Sequence, residues 1–435
     1  MGEGSKRLKN GILAIADQIV VSAGTFLSTM LICRNCSDAD FGVFSLAWTI
    51  IAFLRTIQER MIASPFLAFT FRPAFNRTSF RGSTLAHQAV FSTASTVMVL
   101  IAAVAVRVLG FDGGHFLFGL SLGLALWSTL GRDQMRYVSF TDFAILRLLI
   151  LDVVVVLSQL IGLVVLIRMD VFSLSVANLV LSFGCLLPIA AWLWMTRSTY
   201  VIDNKAVVQD WHHNWSYARW LVVARVFGIA PVVVIPWLIF SFEGDAGTGV
   251  FGACTSLVGV SLMFVQGANN VFQPRTMLEL QKNGIRGLLT AIGESTGVIC
   301  AGLICISTVF FFFGNNLLVI LGTQYVGFGF LTFLLSVSTL VISISTMLSN
   351  GLAALKKSKD FFWGEVSYCV VSIVSALVLI PSQGLNGAAY AMILGGLAVT
   401  IVTAVRLADG VHNYAAESST NEETDSLMPC EREQT

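Results

Sequence analysis

What most constrains this chain is a succession of apolar runs, most of them twenty or more residues long. A helix rises about 1.5 Å per residue, so about twenty apolar residues span the hydrocarbon core of a bilayer. Such runs occupy residues 11–32, 42–69, 84–108, 113–131, 143–167, 172–196, 216–241, 248–273, 287–313, 325–348, 360–380 and 384–405. Charge is correspondingly scarce: 12% of the 435 residues are charged and 56% are hydrophobic, where a soluble domain carries about 25% charged residues. That deficit excludes an ordinary soluble globular class. A net charge of +1 gives no electrostatic basis for binding nucleic acid. The fold class is all-α and polytopic, with about twelve transmembrane helices.

The placement of Lys and Arg predicts orientation. One set of span ends carries Lys6, Arg7, Lys9, Arg72, Arg77, Arg81, Arg132, Arg136, Arg197, Lys205, Arg219, Arg275, Lys282, Arg286, Lys356, Lys357, Lys359, Arg406 and Arg432. The opposite ends hold Arg34, Arg107 and Arg168. Both termini are therefore expected in the cytoplasm, with the chain in the plasma (inner) membrane. The basic N-terminus leads into an apolar run that Asp17 and Gln18 interrupt. No small-residue cleavage site follows, so it reads as an uncleaved first span. The expected organisation is a cytoplasmic segment 1–10, a lobe 11–196, a cytoplasmic linker 197–215, a second lobe 216–405 and an acidic, disordered cytoplasmic tail 406–435. Phe41-Gly42, followed by Leu46 and Pro65, returns in the second half as Phe251-Gly252, followed by Leu257 and Pro274. An even number of spans separates the two, so the halves share one orientation. Two pseudo-symmetric lobes of about six helices around a central cavity are a known transporter plan.

Charges inside the spans carry the functional argument. Arg55, Gln58, Glu59 and Arg60 lie within 42–69, just before Pro65. A charge at a span centre costs roughly 2.5–3.5 kcal/mol, so it persists where it meets water or a partner. One reading is a hydrated cavity. The other is an ion pair between Arg55 and Glu59, which share a helix face at i, i+4. In the second half Gln266, Asn269, Asn270 and Gln273 form one uncharged polar face, where the first half has Glu59 and Arg60. Gln18, Ser22, Thr25 and Thr29 make a similar stripe beside Asp17. Cavity lining and helix–helix hydrogen bonding both fit such stripes. Further charges sit at Asp152, Arg225, Glu294 and Glu365. Arg147 lies near a span end, where a long side chain snorkels. Pro231 and Pro236 in the seventh run predict a kink or break.

Arginines suit phosphate oxygens, because a guanidinium offers forked, charge-assisted hydrogen bonds. Arg55, Arg60 and Arg225 are thus candidates to hold a phosphate or pyrophosphate. Asp17, Glu59, Asp152, Glu294 and Glu365 are candidates for coupling to H⁺ or Na⁺, or for buried ion pairs. No metal-ligand cluster, nucleotide motif or catalytic constellation is visible, so no catalytic residue, metal or cofactor is expected. The predicted outer loops are short, which argues against a membrane enzyme. Cys33 and Cys36 form the one close cysteine pair, read as packing or chance or else as a disulfide or redox motif. His87, His115, His212, His213 and His412 lie at span ends or loops and read as solvated.

Several short motifs together resemble one family. They are Ala16-Asp17-Gln18 with Ser22 and Phe26, Arg34, Phe41-Gly42-Val43-Phe44 with Leu46-Ala47, and Ile62 to Pro65. In the second half they are Leu321-Gly322 with Tyr325, Asn350-Gly351-Leu352 before Lys356, and Gly384-Leu385-Asn386-Gly387-Ala388-Ala389-Tyr390-Ala391. The pattern is similar to that of the polysaccharide transport proteins, the Wzx-like O-antigen and exopolysaccharide flippases. Their superfamily (MOP) includes the MATE multidrug and toxin extrusion transporters and the lipid II flippase MurJ. The resemblance implies MATE-like lobes working by alternating access. It implies a substrate built on undecaprenyl pyrophosphate bearing an oligosaccharide, and pathway partners such as a polysaccharide polymerase or glycosyltransferases. Arg55, Arg60 and Arg225 would be the counterparts of the family's cationic cavity. A cation-coupled multidrug exporter of the same fold is the alternative.

Overall fold

The computed structural model describes residues 3–71, 76–110, 113–355 and 357–427; most of these are helical, and there is no strand among the described residues. Helix α1 spans Glu3–Arg34 and α2 spans Asp38–Gln58. A π-helical turn, Glu59–Ala63, joins α2 to α3, Ser64–Phe69. Then come α4 Arg77–Val108, α5 Gly113–Thr141, α6 Ile145–Arg168 and α7 Leu174–Thr196. The long helical segments are α8, Asn204–Leu318, and α10, Ser358–Leu427, with α9, Gly329–Ala354, between them.

As one straight rod, α8 would be ~170 Å long. It is not straight. Gly244 and Gly284 have φ of 74° and 61°, a left-handed conformation that glycine adopts freely and that breaks a helix. Beyond Gly284 the chain doubles back: Arg275 pairs with Glu294, and Val265 packs with Ile299 and Leu303. Gly384, at φ 58°, breaks α10 in the same way, and Asp360 then pairs with Arg406. Gly244 and Gly284 fall where the sequence places loops, and Gly384 is the first residue of the last apolar run. No residue from Pro231 to Pro236 takes the left-handed conformation seen at Gly244, so no break of that kind occurs there; membrane helices tolerate the lost backbone bonds. α10 runs on to Leu427, past residue 406 where the sequence reading begins a disordered tail. Residues 428–435, including Arg432, lie outside the described residues, as do Arg72 and Lys356.

The helices turn apolar stripes outward. Ile12, Ile15 and Ile19 on α1 are exposed, as are Leu146, Ile150, Leu157 and Ile161 on α6. Their spacing follows the helical repeat, and opposite each stripe lies a fully buried carboxylate, Asp17 or Asp152. Large exposed apolar stripes over polar interiors invert the soluble pattern. Among the described residues, eight helical segments, the long ones included, are long and apolar enough to cross a bilayer. The chain is a multi-pass membrane protein.

Two compact units make up the chain: Met1–Leu257 with Asn315–Phe328, and Val258–Gly314 with Gly329–Thr435. In the first, Ile51, Leu54, Leu122, Leu126 and Leu130 pack α2 on α5. Phe66, Phe80, Met135, Leu148 and Trp192 join α3 to α4, α5, α6 and α7. Also in this unit, α2 crosses α8 with no side chain between them. A Cβ on Gly42 would strike the carbonyl of Asp245, and one on Gly249 the carbonyl of Asp38. In the second unit Leu288, Ile292, Leu352 and Leu407 form one cluster, and Val265, Ile299, Leu303 and Met347 another. Cys33 and Cys36 are free thiols.

Candidate functional site

The polar interior of the first unit begins with α5. Its apolar run ends near residue 131, yet the helix continues to Thr141 and carries Arg132, Asp133 and Arg136 inside it. Helical spacing puts Arg132 and Arg136 on one face, toward α6. Arg132 donates from Nε (2.9 Å) and Nη2 (2.7 Å) to Oδ1 of Asp152. Arg136 bridges two carboxylates: Nη2 donates to Oδ2 of Asp17 on α1 at 2.8 Å, and Nη1 donates to Oδ2 of Asp152. Asp17 and Asp152 are both 0% exposed. Two carboxylates and two guanidiniums close a neutral network across α1, α5 and α6. The Oδ1 atom of Asp17 is left without a hydrogen-bond partner.

Asp133 turns toward α2 instead. Arg55 grips it with both ends of its fork, Nε to Oδ2 at 2.6 Å and Nη2 to Oδ1 at 2.9 Å. The i, i+4 pairing of Arg55 with Glu59 is therefore not formed. Glu59 pairs with its neighbour Arg60 at 3.2 Å. The bidentate grip outcompetes the local pair because it satisfies both oxygens at once. Arg132 and Arg136 are likewise corrected: they are helix-interior ion partners, not loop charges that report orientation.

The π turn at Glu59–Ala63 follows from Pro65. Proline lacks an N–H, and its ring clashes with the carbonyl four residues back. The wider turn relieves this. The backbone N–H of Ser64 bonds the carbonyl of Glu59, five residues back, and its Oγ donates to the same oxygen at 3.0 Å. Glu59 and Arg60 thus stand on a turn of altered register, a feature frequent at functional sites. Gln58 does not line water. It is fully buried, donating to Oε1 of Gln88 and to the carbonyl of Leu130, each at 2.9 Å. Gln18 is half-buried and donates to Ser22 Oγ at 3.2 Å. Arg225, on α8, is half-buried, with a buried Nε that has no partner.

Accessibility in this unit is therefore uneven. The side chain of Arg55 is 47% exposed while its partner Asp133 is 11% exposed. Arg60 and Glu59 are both partly open, and Asp17 and Asp152 are sealed.

The second unit has the uncharged face. Gln266, Asn270 and Gln273 are exposed, and Asn269 accepts a hydrogen bond from Asn350 at 2.8 Å. Glu294 is exposed and paired with Arg275. Glu365, on α10, is half-buried. Sequence reasoning missed Arg132, Asp133, Arg136 and Asn350. The signal for the first three was there, since no proline or turn-forming cluster follows Gly131 before residue 141 to end the helix.

Solved structures share this architecture over nearly the whole chain. An inward-facing multidrug resistance MATE family transporter of the MOP superfamily matches with TM-score 0.69 at 14% identity, covering 94% of this chain and 96% of that one. The fold is that of the MATE transporters. An outward-facing conformation of such a transporter matches with TM-score 0.65 at 12% identity, over 94% of this chain and 96% of that one. So does a MOP superfamily transporter from Pyrococcus furiosus, with TM-score 0.64, 12% identity and the same coverages; its reverse binding-pocket polarity is described as suggesting a different function. No protein-family model and no curated protein matches the sequence of this MATE-fold chain.

Proposed function

We propose that the protein is a non-enzymatic transporter that flips a lipid-linked oligosaccharide by alternating access. The substrate would be carried on undecaprenyl pyrophosphate, moving from the cytoplasmic to the outer leaflet for surface polysaccharide synthesis. The observation that carries this reading is the uneven exposure of charge: Arg55 is far more open than Asp133, and Asp17 and Asp152 are sealed. An accessible guanidinium in a membrane helix faces water, because lipid offers it nothing. A pyrophosphate would compete with Asp133 for Arg55 and with Glu59 for Arg60, and Arg225, whose Nε has no partner, would be the third binding group. Inward- and outward-facing relatives in fold supply the geometry of alternating access. The sealed Asp17–Arg136–Asp152–Arg132 network is the candidate coupling element, its carboxylates exchanging Arg136 for H⁺ or Na⁺. Polymerase or glycosyltransferases of the same pathway would be the protein partners.

A second reading is a cation-coupled multidrug exporter, favoured by the multidrug MATE transporters that share the fold. Accessible arginines repel the cationic compounds such a pump would carry. The test replaces Arg60 or Arg225 with Ala in cells and follows lipid-linked oligosaccharide in the cytoplasmic leaflet. Accumulation is expected in both variants. Unchanged export in both would remove these residues from the mechanism.

A further inference from the structure

We propose that the amide face of the second unit binds the sugar part of the substrate through neutral hydrogen bonds, apart from any grip on phosphate. This rests on the flippase reading above and assigns the second unit its share of recognition. Gln266, Asn270 and Gln273 stand at i, i+4 and i+7 on α8, within the last turns of the apolar run 248–273. All three are exposed, and none has a hydrogen-bond partner among the described residues. An unpartnered amide turned to hydrocarbon costs several kcal/mol. Three on one face mean that this face meets water. Asn269, beside them, is held by Asn350, which fixes the helix at this level.

Gly259 leaves room on this face and Gly267, next to Asn270, at its edge, since a Cβ added to either would meet nothing within 4 Å. Each amide offers two donors and an acceptor oxygen, matching hydroxyls that donate and accept in turn. The face itself carries no charge, and the nearby Arg275 is tied to Glu294. A polyhydroxyl ligand is therefore favoured over a phosphate or a cation.

The test uses the purified full chain in detergent and calorimetric binding of two probes. One is a short polyprenyl diphosphate bearing N-acetylglucosamine; the other is the same diphosphate without sugar. Wild type is expected to bind the sugar-bearing probe roughly tenfold more tightly, the effect of one or two net hydrogen bonds. The double replacement Gln266→Met with Asn270→Leu is expected to abolish that difference while leaving the sugar-free affinity unchanged. Gly267→Leu, which fills the open space and keeps every amide, is expected to do the same. Equal affinities in wild type, or a difference that persists in both variants, overturn the inference and leave the flippase reading standing. Failure of wild type to bind either probe removes the flippase reading, and this inference with it.

Discussion

Arg136 stands between Asp17 and Asp152, and both carboxylates are fully buried. Removing one member of such a group strands a buried charge, at a cost of about 3–5 kcal/mol. Arg136→Ala is therefore expected to destabilise the protein by about that much in detergent unfolding, and Arg136→Ala with Asp17→Asn by clearly less. Equal losses in the single and double variants would contradict the network. A different residue gives a chemical test. Burial, with help from Cys33 and the carboxylates of Asp40 and Asp38, pushes the Cys36 thiol up to about 12. At pH 8 it is almost wholly protonated, and the thiolate is the nucleophile. Peptide mapping after maleimide treatment should find Cys36 barely labelled at pH 8, with the rate rising about tenfold per pH unit. Rapid labelling at neutral pH would refute it. Asp17, Asp152 and Arg55 were legible as costly charges from sequence, but their partners were not. A local rule offered Glu59 to Arg55, whereas the true partner, Asp133, comes from a distant helix that a single chain cannot reveal.

Among the elements, α5 and the α2–α3 junction decide the site. The apolar run alone ends α5 near residue 131, because hydropathy counts charges as loop; Arg132, Asp133 and Arg136 instead stay helical to Thr141 and find their partners on neighbouring helices, in Asp152, Arg55 and Asp17. The turns at Gly244, Gly284 and Gly384 were legible, since polar and glycine-containing breaks interrupt the apolar runs there. The π turn was not, although Pro65 announced a disturbance. Pro65→Ala removes its cause. Cysteine pairs placed at 57 and 67, which are not buried, in a variant lacking the native thiols should show a changed spin-label separation when Pro65 becomes Ala; an identical distance would mean that the turn has another origin. The crossing of α2 and α8 gives a second test. Gly42→Val and Gly249→Val push Cβ into backbone carbonyls, so each is expected to lower stability by about 1–3 kcal/mol. Gly267→Ala meets open space and should be neutral or slightly stabilising, as alanine is in a helix interior. Equal effects at the two kinds of glycine would contradict the packing.

At the scale of the whole molecule, composition was enough to announce a polytopic helical membrane protein, and the MATE-type architecture agrees. Periodicity and charge could not assign the substrate, because they do not show which charges are open and which are sealed. That depends on pairing across helices. The orientation argument, with cytoplasmic termini, keeps most of its basic residues after Arg132 and Arg136 are set aside. A fluorescent-protein fusion after Tyr414 should glow, and an alkaline phosphatase fusion there should be inactive. The reverse pattern would invert the topology. The central claim is transport of an anionic, sugar-bearing lipid across the bilayer. It is tested most directly in vesicles holding the purified protein, loaded with a short-chain, fluorescent polyprenyl diphosphate bearing a sugar, by following quenching as the lipid reaches the outer leaflet. The account predicts quenching beyond the outer-leaflet fraction with wild type and a clear loss with the Arg60→Ala, Arg225→Ala double variant; quenching no greater than in protein-free vesicles, with a cationic drug transported instead, would contradict it.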